Sequence, residues 1–400
     1  MTSRSPRPGP EQPRFSETLG SLRGLAASVV VLYHGMMICR LGTIDDAHDL
    51  AIDPSSPALV VQHALLGLFN GSAAVIVFFV LSGTVLSLSM AREAHLGPRE
   101  VAAYYVKRGF RLGPLLAVVA VIAGFLHLRY FGPEEYEFAT TWMNWHFKHD
   151  PTIEEIAANA VGWSDSLNSP AWTIFVEIVA SLLFPALFLL AAPEKPRLAI
   201  FGTLVLLAFV PLPLRGVHMF MMCFYAGALI PTVGGAVAVR FGALPRWARV
   251  ASIALALAAL AWFQRVYAPA AFADPLVILV NTLAATFLVT VVYFDPHARL
   301  LRSRALLFLG EISYALYLTH LLVLFVIVHA LAPHISAPLP AWQAIMVNLA
   351  FGVAALAATV PIATASYYLL ERPFQDIGRT IARRIRQGGF ANALAARRTS

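Results

Sequence analysis

Residues 72–90 read SAAVIVFFVLSGTVLSLSM, with no charged side chain and a single glycine. At 1.5 Å per residue a helix over this stretch is about 28 Å long, close to the hydrocarbon thickness of a bilayer. Nine further segments are long and apolar enough to cross as helices: Leu22 to Ile38, Leu112 to Leu128, Ala171 to Ala192, Leu198 to Leu214, Val217 to Val233, Val250 to Phe263, Leu276 to Phe294, Ala305 to Leu331 and Trp342 to Leu370. The whole chain has the same character, with 58% of its 400 residues hydrophobic, 13% charged and a mean hydropathy of +0.70. Soluble domains run near 45–50% apolar and about 25% charged, so a soluble enzyme, a disordered chain and a fibrous repeat are excluded. The sequence predicts an all-α integral membrane protein, a bundle of about ten transmembrane helices.

Ten spans put both termini on one side. Of the 29 Lys and Arg, only Arg40, Arg129, Lys148, Arg215 and Arg265 fall in the segments opposite the N-terminus. By the positive-inside rule the N- and C-termini are cytoplasmic, and the chain is expected to be a multi-pass protein of the inner membrane. The net charge of +7 is then topological, and nucleic acid is discounted as a partner. Residues 1–15, with Arg4, Arg7 and Arg14 among four prolines, read as a disordered tail without the apolar core of a cleaved signal peptide, so the N-terminus is expected to be retained. Cys39 and Cys223 both lie in apolar runs, which excludes a disulfide framework and a thiolate metal site, and no metal is expected.

Residues 129–168 form the long extracytoplasmic loop, rich in aromatic and acidic side chains, with Thr152 and Glu155 spaced as a capping box for a short helix through Val161. Two readings fit it: an interfacial aromatic belt, or a lid whose aromatic faces and carboxylates bind a polar acceptor such as a sugar. After the last span, within residues 374–400, Phe374, Ile377, Ile381 and Ile385 recur at helical spacing opposite Arg379, Arg383, Arg384 and Arg386. This reads as a basic amphipathic helix on the inner leaflet, with membrane lipid as its partner.

Ionisable groups inside spans are costly and are functional candidates by default. Arg23 stands at the cytoplasmic entrance of the first span and His34 about 16 Å above it. Glu177 lies about 12 Å into the fourth span from the other side, and Ser82 about 15 Å into the second. The ninth span brings Ser313, Tyr314 and Tyr317 to the middle third, with His320 above them. These groups share one level only if the helices pack around a common cavity. His34 with Glu177 is the material of a general base and its orienting carboxylate, or of a proton relay. Arg108 and Arg111, three residues apart before Pro114, share a helical face with Arg23 nearby, as topogenic charge or as a bidentate phosphate clamp.

Taken in order, these segments resemble the membrane-bound acyltransferase 3 family over about Phe15 to Phe374. The matching elements are Arg23 to His34 in RGLAASVVVLYH, FFVLSG at Phe78 to Gly83, and Arg108, Arg111 and Pro114 in YYVKRGFRLGP. They continue with Ser169, Trp172 and Glu177 in SPAWTIFVE, with Gly310, Ser313, Tyr314, Tyr317 and His320 in GEISYALYLTH, and with Glu371-Arg372-Pro373-Phe374 at the end. The departures are Thr173 for a commoner Ser, Thr84 for Phe, and Ala73-Ala74-Val75 for a Gly-Val start; none removes a titratable group, so they are expected to bear on acceptor fit more than on chemistry. With no appended hydrolase-like domain, the acceptor is expected to meet the membrane domain directly.

The resemblance implies a membrane O-acyltransferase that moves an acyl group, usually acetyl, from cytoplasmic acyl-CoA to a hydroxyl of a cell-surface carbohydrate or lipid-linked glycan. No permanently bound cofactor is implied; acyl-CoA is the donor substrate. Arg23, Arg108 and Arg111 would hold the CoA phosphates and His34 would act on the acceptor hydroxyl with Glu177 beside it, either directly or through an acyl-histidine. Ser82, Trp172, Ser313, Tyr314, Tyr317, His320 and Glu371 would support the cavity. A secondary transporter or flippase also uses ten spans and a midplane site, but the chain has neither paired broken helices in two corresponding halves nor a cluster of coupling carboxylates.

Overall fold

A computed structural model describes residues 12–93, 95–132, 135–146, 150–192, 196–209, 217–271, 273–295 and 300–387. The helices are α1 (Gln12–Gly35), α2 (Pro57–Leu68), α3 (Gly71–Met90), α4 (Pro98–Arg129), α5 (Thr141–Trp145), α6 (Ile153–Ala160), α7 (Trp172–Leu190) and α8 (Pro196–Phe209). They continue with α9 (Val217–Ala243), α10 (Arg246–Tyr267), α11 (Pro275–Phe294), α12 (Arg304–Glu311), α13 (Ser313–Leu331), α14 (Ala341–Ser366) and α15 (Arg372–Arg386). Each of the ten apolar segments carries a helix. Among the described residues eight helices are long and apolar enough to cross a membrane, α2 and α3 counting as one and α14 with α15 as another. α1, with its charged entrance, and the short α8 fall outside that set, so two of the ten expected spans are not among the eight. The expected tail from residue 1 lies outside the described residues up to 11, and α1 takes in Gln12 onward; residues 388–400 are likewise outside them.

α1 is central, packed by α3, α12, α13 and α14. Without a hydrophobic drive between helices in lipid, such packing relies on small residues that let backbones approach. The glycine of FFVLSG does this work: a Cβ on Gly83 would stand 2.0 Å from the Phe224 carbonyl oxygen of α9. On α9, Pro231 lacks the N–H that would bond the Gly227 carbonyl, and the buried Thr84 hydroxyl lies 3.1 Å from that oxygen, sharing its proton with Val80. Thr84 therefore serves the α3–α9 contact, and not the acceptor fit expected of it. Pro185 of α7 likewise frees the Ser181 carbonyl, which accepts from Tyr104 of α4 at 3.1 Å.

One end of the bundle is closed by two loop segments knitted together. Arg40 N–H donates to Phe138 O, Thr140 N–H to Ile38 O and the Thr140 hydroxyl to Met37 O, all within 2.9 Å. Asp45 joins them, accepting from Arg40 at 2.8 Å and from the Thr141 amide and hydroxyl. Partial burial works to raise the Asp45 carboxyl, but those Thr141 bonds and Arg40 hold it below the usual carboxylate range. The N-cap half of the expected capping box is present, Thr152 Oγ1 accepting from Glu155 N at 3.2 Å at the start of α6, while the Glu155 carboxylate accepts from Ser166 Oγ.

At the other end, α14 runs through a π-turn at Tyr367–Glu371 into α15. α15 is the expected basic helix, but its buried face is Gly378 and Ala382 set against α4, and not the isoleucine stripe. A Cβ on Gly378 would meet Phe110 at 2.6 Å, and Arg386 pairs with Glu93. A helix that looks like a surface anchor in sequence is thus seated on the bundle through its smallest residues.

Candidate active site

Two polar centres lie within the bundle. The first is built on histidine. His34 of α1 and His320 of α13 meet with His320 Nε2 3.0 Å from His34 Nδ1. His320 Nδ1 lies 2.6 Å from the Tyr317 carbonyl, and His34 Nδ1 is also 3.0 Å from the Val30 carbonyl. A carbonyl only accepts, so His320 Nδ1 carries its proton, and neutral His320 offers Nε2 as an acceptor. His34 Nδ1 must then be the donor, shared between Val30 O and His320. In the neutral pair the lone pair of His34 is therefore at Nε2, and the partly exposed ring presents a base. Trp142, delivered by the clasped loops, stacks on the same imidazole at 5.7 Å between centroids with 19° between planes, and Tyr33 meets its edge. Behind Trp142, the His146 imidazole is pushed down to about 4 by burial while its Nδ1 bonds the Trp142 carbonyl at 2.8 Å.

The second centre is charged. Glu177 Oε1 accepts from Arg108 Nη2 at 2.6 Å and from Ser82 Oγ at 3.4 Å. Arg108 Nε donates to Ser181 Oγ at 3.0 Å, and that hydroxyl donates to the Glu177 carbonyl. A cavity of about 190 Å³ opens here, lined by Arg23, Ser82, Lys107, Arg108, Arg111 and Glu177 among others. A smaller one of about 30 Å³ shares Arg23, Ser82 and Glu177 with it and continues to Ser313, Tyr314 and Tyr317. Tyr314 donates to the Leu112 carbonyl at 2.6 Å, closing α13 against α4, and Ser313 bonds Gly310 O. Tyr317 links the two centres, its hydroxyl 3.1 Å from Thr173 and its ring 5.8 Å from that of His320.

The buried Glu371, at the end of the π-turn, interacts electrostatically with Arg23 and Arg111 and accepts from Gln375 at 2.8 Å. Trp172 packs against Phe79 and Phe220 and lines neither cavity.

Most of the sequence-expected residues thus gather at these two centres, with Trp172 set apart from both cavities and one change of partner. Glu177 is engaged by Arg108 and Ser82, and His34 has His320 beside it. Depth along a helix axis does not specify azimuth, and a long arginine side chain reaches inward from the end of its span to a carboxylate deep in another. Sequence reasoning also passed over Lys107 and Ser181 as site residues, and Trp142 as a cover for His34. Spacing gives Ser181 away, one turn after Glu177, but nothing in the sequence brings Trp142 to His34.

A multi-pass helical bundle holding a tautomer-fixed imidazole and a cationic cavity around one carboxylate has the parts for group transfer within a membrane. A family model described as an acyltransferase domain, that of the acyltransferase 3 family, matches residues 18–368, and the chain belongs to that family of membrane acyltransferases. No curated protein and no solved structure matches it.

Proposed function

We propose that this protein transfers an acyl group, acetyl by preference, from cytoplasmic acyl-CoA to a hydroxyl of an extracytoplasmic carbohydrate or lipid-linked glycan. The observation that carries this reading is the contact of His34 Nδ1 with His320 Nε2 and the Val30 carbonyl, with His320 Nδ1 on the Tyr317 carbonyl, from which the His34 lone pair follows at Nε2. The Nε2 atom takes the acceptor proton as the acceptor oxygen attacks the thioester carbonyl. The C–S bond then breaks, and the CoA thiolate recovers the proton from the imidazolium. Alcohol and thioester go in, ester and thiol come out, and His34 is restored. His320 acts as the positioning residue, holding His34 in the reactive tautomer. Purified protein given radiolabelled acetyl-CoA without acceptor should hydrolyse the thioester slowly; no hydrolysis above the protein-free rate would favour a transporter or flippase.

The ion pair commits Arg108 to Glu177, so the donor phosphates fall to Arg23, Arg111 and Lys107 at the cavity mouth. Arg111→Ala is expected to weaken acetyl-CoA binding by about 1.5–3 kcal/mol, the scale of a charge-assisted hydrogen bond. Arg111→Lys should restore only part, because the planar fork is lost. Titration calorimetry on both variants checks it, and unchanged affinity would make Arg111 a topogenic charge.

The charge asymmetry orients the bundle with both termini in the cytoplasm and the 36–56 and 129–168 loops outside. Single cysteines at Glu135 and Ala243 should label from outside and inside respectively with a membrane-impermeant reagent, and the reverse pattern would invert the assignment.

A further inference from the structure

On the side of α1 away from His320, an apolar groove of about 540 Å³ runs between α1, α2, α3, α10 and α11. On α10 its lining includes Ala254, Ala258 and Ala261, which share a helical face, and Arg265 is the next residue on that face. The other helices repeat the pattern. Tyr33 stands four residues beyond Val29 on α1, His63 four before Gly67 on α2, and Asn281 four before Ala285 on α11. α10 and α1 run toward the clasped-loop end, and α2 and α11 run away from it, so each of these steps leads to the same end of the groove. Four helices therefore each set one polar side chain about one turn beyond the apolar lining.

That polar cap is unusual. Arg265 is 1% exposed, His63 1% and Asn281 0%. Two nitrogens of Arg265 bond the His48 carbonyl at 2.7 Å and the Tyr33 hydroxyl at 3.1 Å, and its Cζ lies 5.6 Å from the Tyr33 ring centre. Its Nε has no hydrogen-bond partner, and neither do both ring nitrogens of His63 and both amide atoms of Asn281. Among the described residues no carboxylate forms an ion pair with Arg265. A buried guanidinium with only neutral partners is a costly arrangement, and an anion relieves it.

We propose that this groove binds an anionic phospholipid, with an acyl chain along α1 and α10 and the phosphate beside Arg265, His63 and Asn281. The apolar channel selects a lipid over a soluble anion, and the unpaired cation selects a net negative headgroup over a zwitterionic one, whose ammonium would be brought to the guanidinium. The site is separate from the charged cavity and does not depend on the transfer chemistry proposed above.

The test is native mass spectrometry on the delipidated full chain in detergent, titrated with dioleoylphosphatidylglycerol, with dioleoylphosphatidylcholine and with inorganic phosphate. One phosphatidylglycerol should be retained with an affinity about tenfold or more above phosphatidylcholine, the difference that one charge-assisted bond supplies. Arg265→Gln should erase the preference between the two lipids. Ala258→Phe, which fills the groove without touching the polar cap, should lower retention of phosphatidylglycerol by a similar factor in a protein that still elutes as a single species, and it decides the matter if Arg265→Gln does not fold. Equal retention of the two lipids by the wild-type protein, or undiminished retention in Ala258→Phe, overturns the proposal. Displacement of the lipid by millimolar inorganic phosphate, undiminished in Ala258→Phe, overturns it too and assigns a free-anion site.

Discussion

Replacing His34 by alanine is expected to lower single-turnover acyl transfer by at least about 10²-fold while leaving acyl-CoA affinity nearly intact. On the function proposed above, the imidazole holds the acceptor proton in the transition state, while the donor phosphates would be held elsewhere, in the cavity lined by Arg23, Arg111 and Lys107. Loss of the base is then felt in turnover and spared in binding. His320→Gln separates positioning from catalysis. Its amide can still accept from His34 Nδ1, so activity should fall less than in His34→Ala, with a pH–rate profile displaced because the His34 proton has a different partner. Both readouts come from rapid-quench transfer and equilibrium donor binding on the same preparations. Should His34→Ala keep more than about a tenth of the wild-type rate, the general-base role would be wrong.

The second large effect is expected in stability. Arg108 and Glu177 form a 2.6 Å ion pair with side-chain exposures of 11% and 17%, deep between α4 and α7. Removing one partner leaves a buried charge uncompensated, a loss of about 3–5 kcal/mol in comparable sites. Arg108→Ala should therefore lower the thermal midpoint far more than Arg111→Ala, although the two arginines sit one turn apart and look equivalent in sequence. Removing both charges, as Arg108→Gln with Glu177→Gln, should recover part of the loss, since neither group is then stranded. Thermal unfolding of the four proteins in one detergent tests the order. If Arg108→Ala and Arg111→Ala prove equally stable, Glu177 does not depend on Arg108.

What the sequence made legible was mostly what the bilayer imposes. Spans such as 72–90 declare themselves because hydrocarbon demands long uncharged helices, and His34, Glu177, Arg108 and Arg111 stand out because lipid tolerates so few titratable groups. The motif order then carried the family, over residues 18–368. Side-chain partnership was not legible. Glu177 was paired by depth with His34, and the structure gives it to Arg108, because rise along an axis carries no azimuth. Trp142 reaches His34 through a loop clasp that depends on Asp45, Thr140 and Thr141, polar contacts with no periodic signature. Thr84 read as a matter of acceptor fit, whereas it serves a carbonyl released by a proline on another helix.

The π-turn at Tyr367–Glu371 works as a phase shift of one residue within a helix that otherwise runs from Ala341 to Arg386. An α-helix advances about 100° per residue, so the extra residue sets the angle at which everything downstream faces the bundle. With that angle, Glu371 turns toward Arg23 and Arg111 while Gly378 and Ala382, two and three turns later, land on α4. Straightening the turn to regular α geometry would rotate both together. The charged cavity and the last helix are thus geared to each other: the backbone cannot regain its ordinary hydrogen-bond ladder at 367–371 without swinging the carboxylate away from Arg23 and Arg111 and α15 off its seat in one motion.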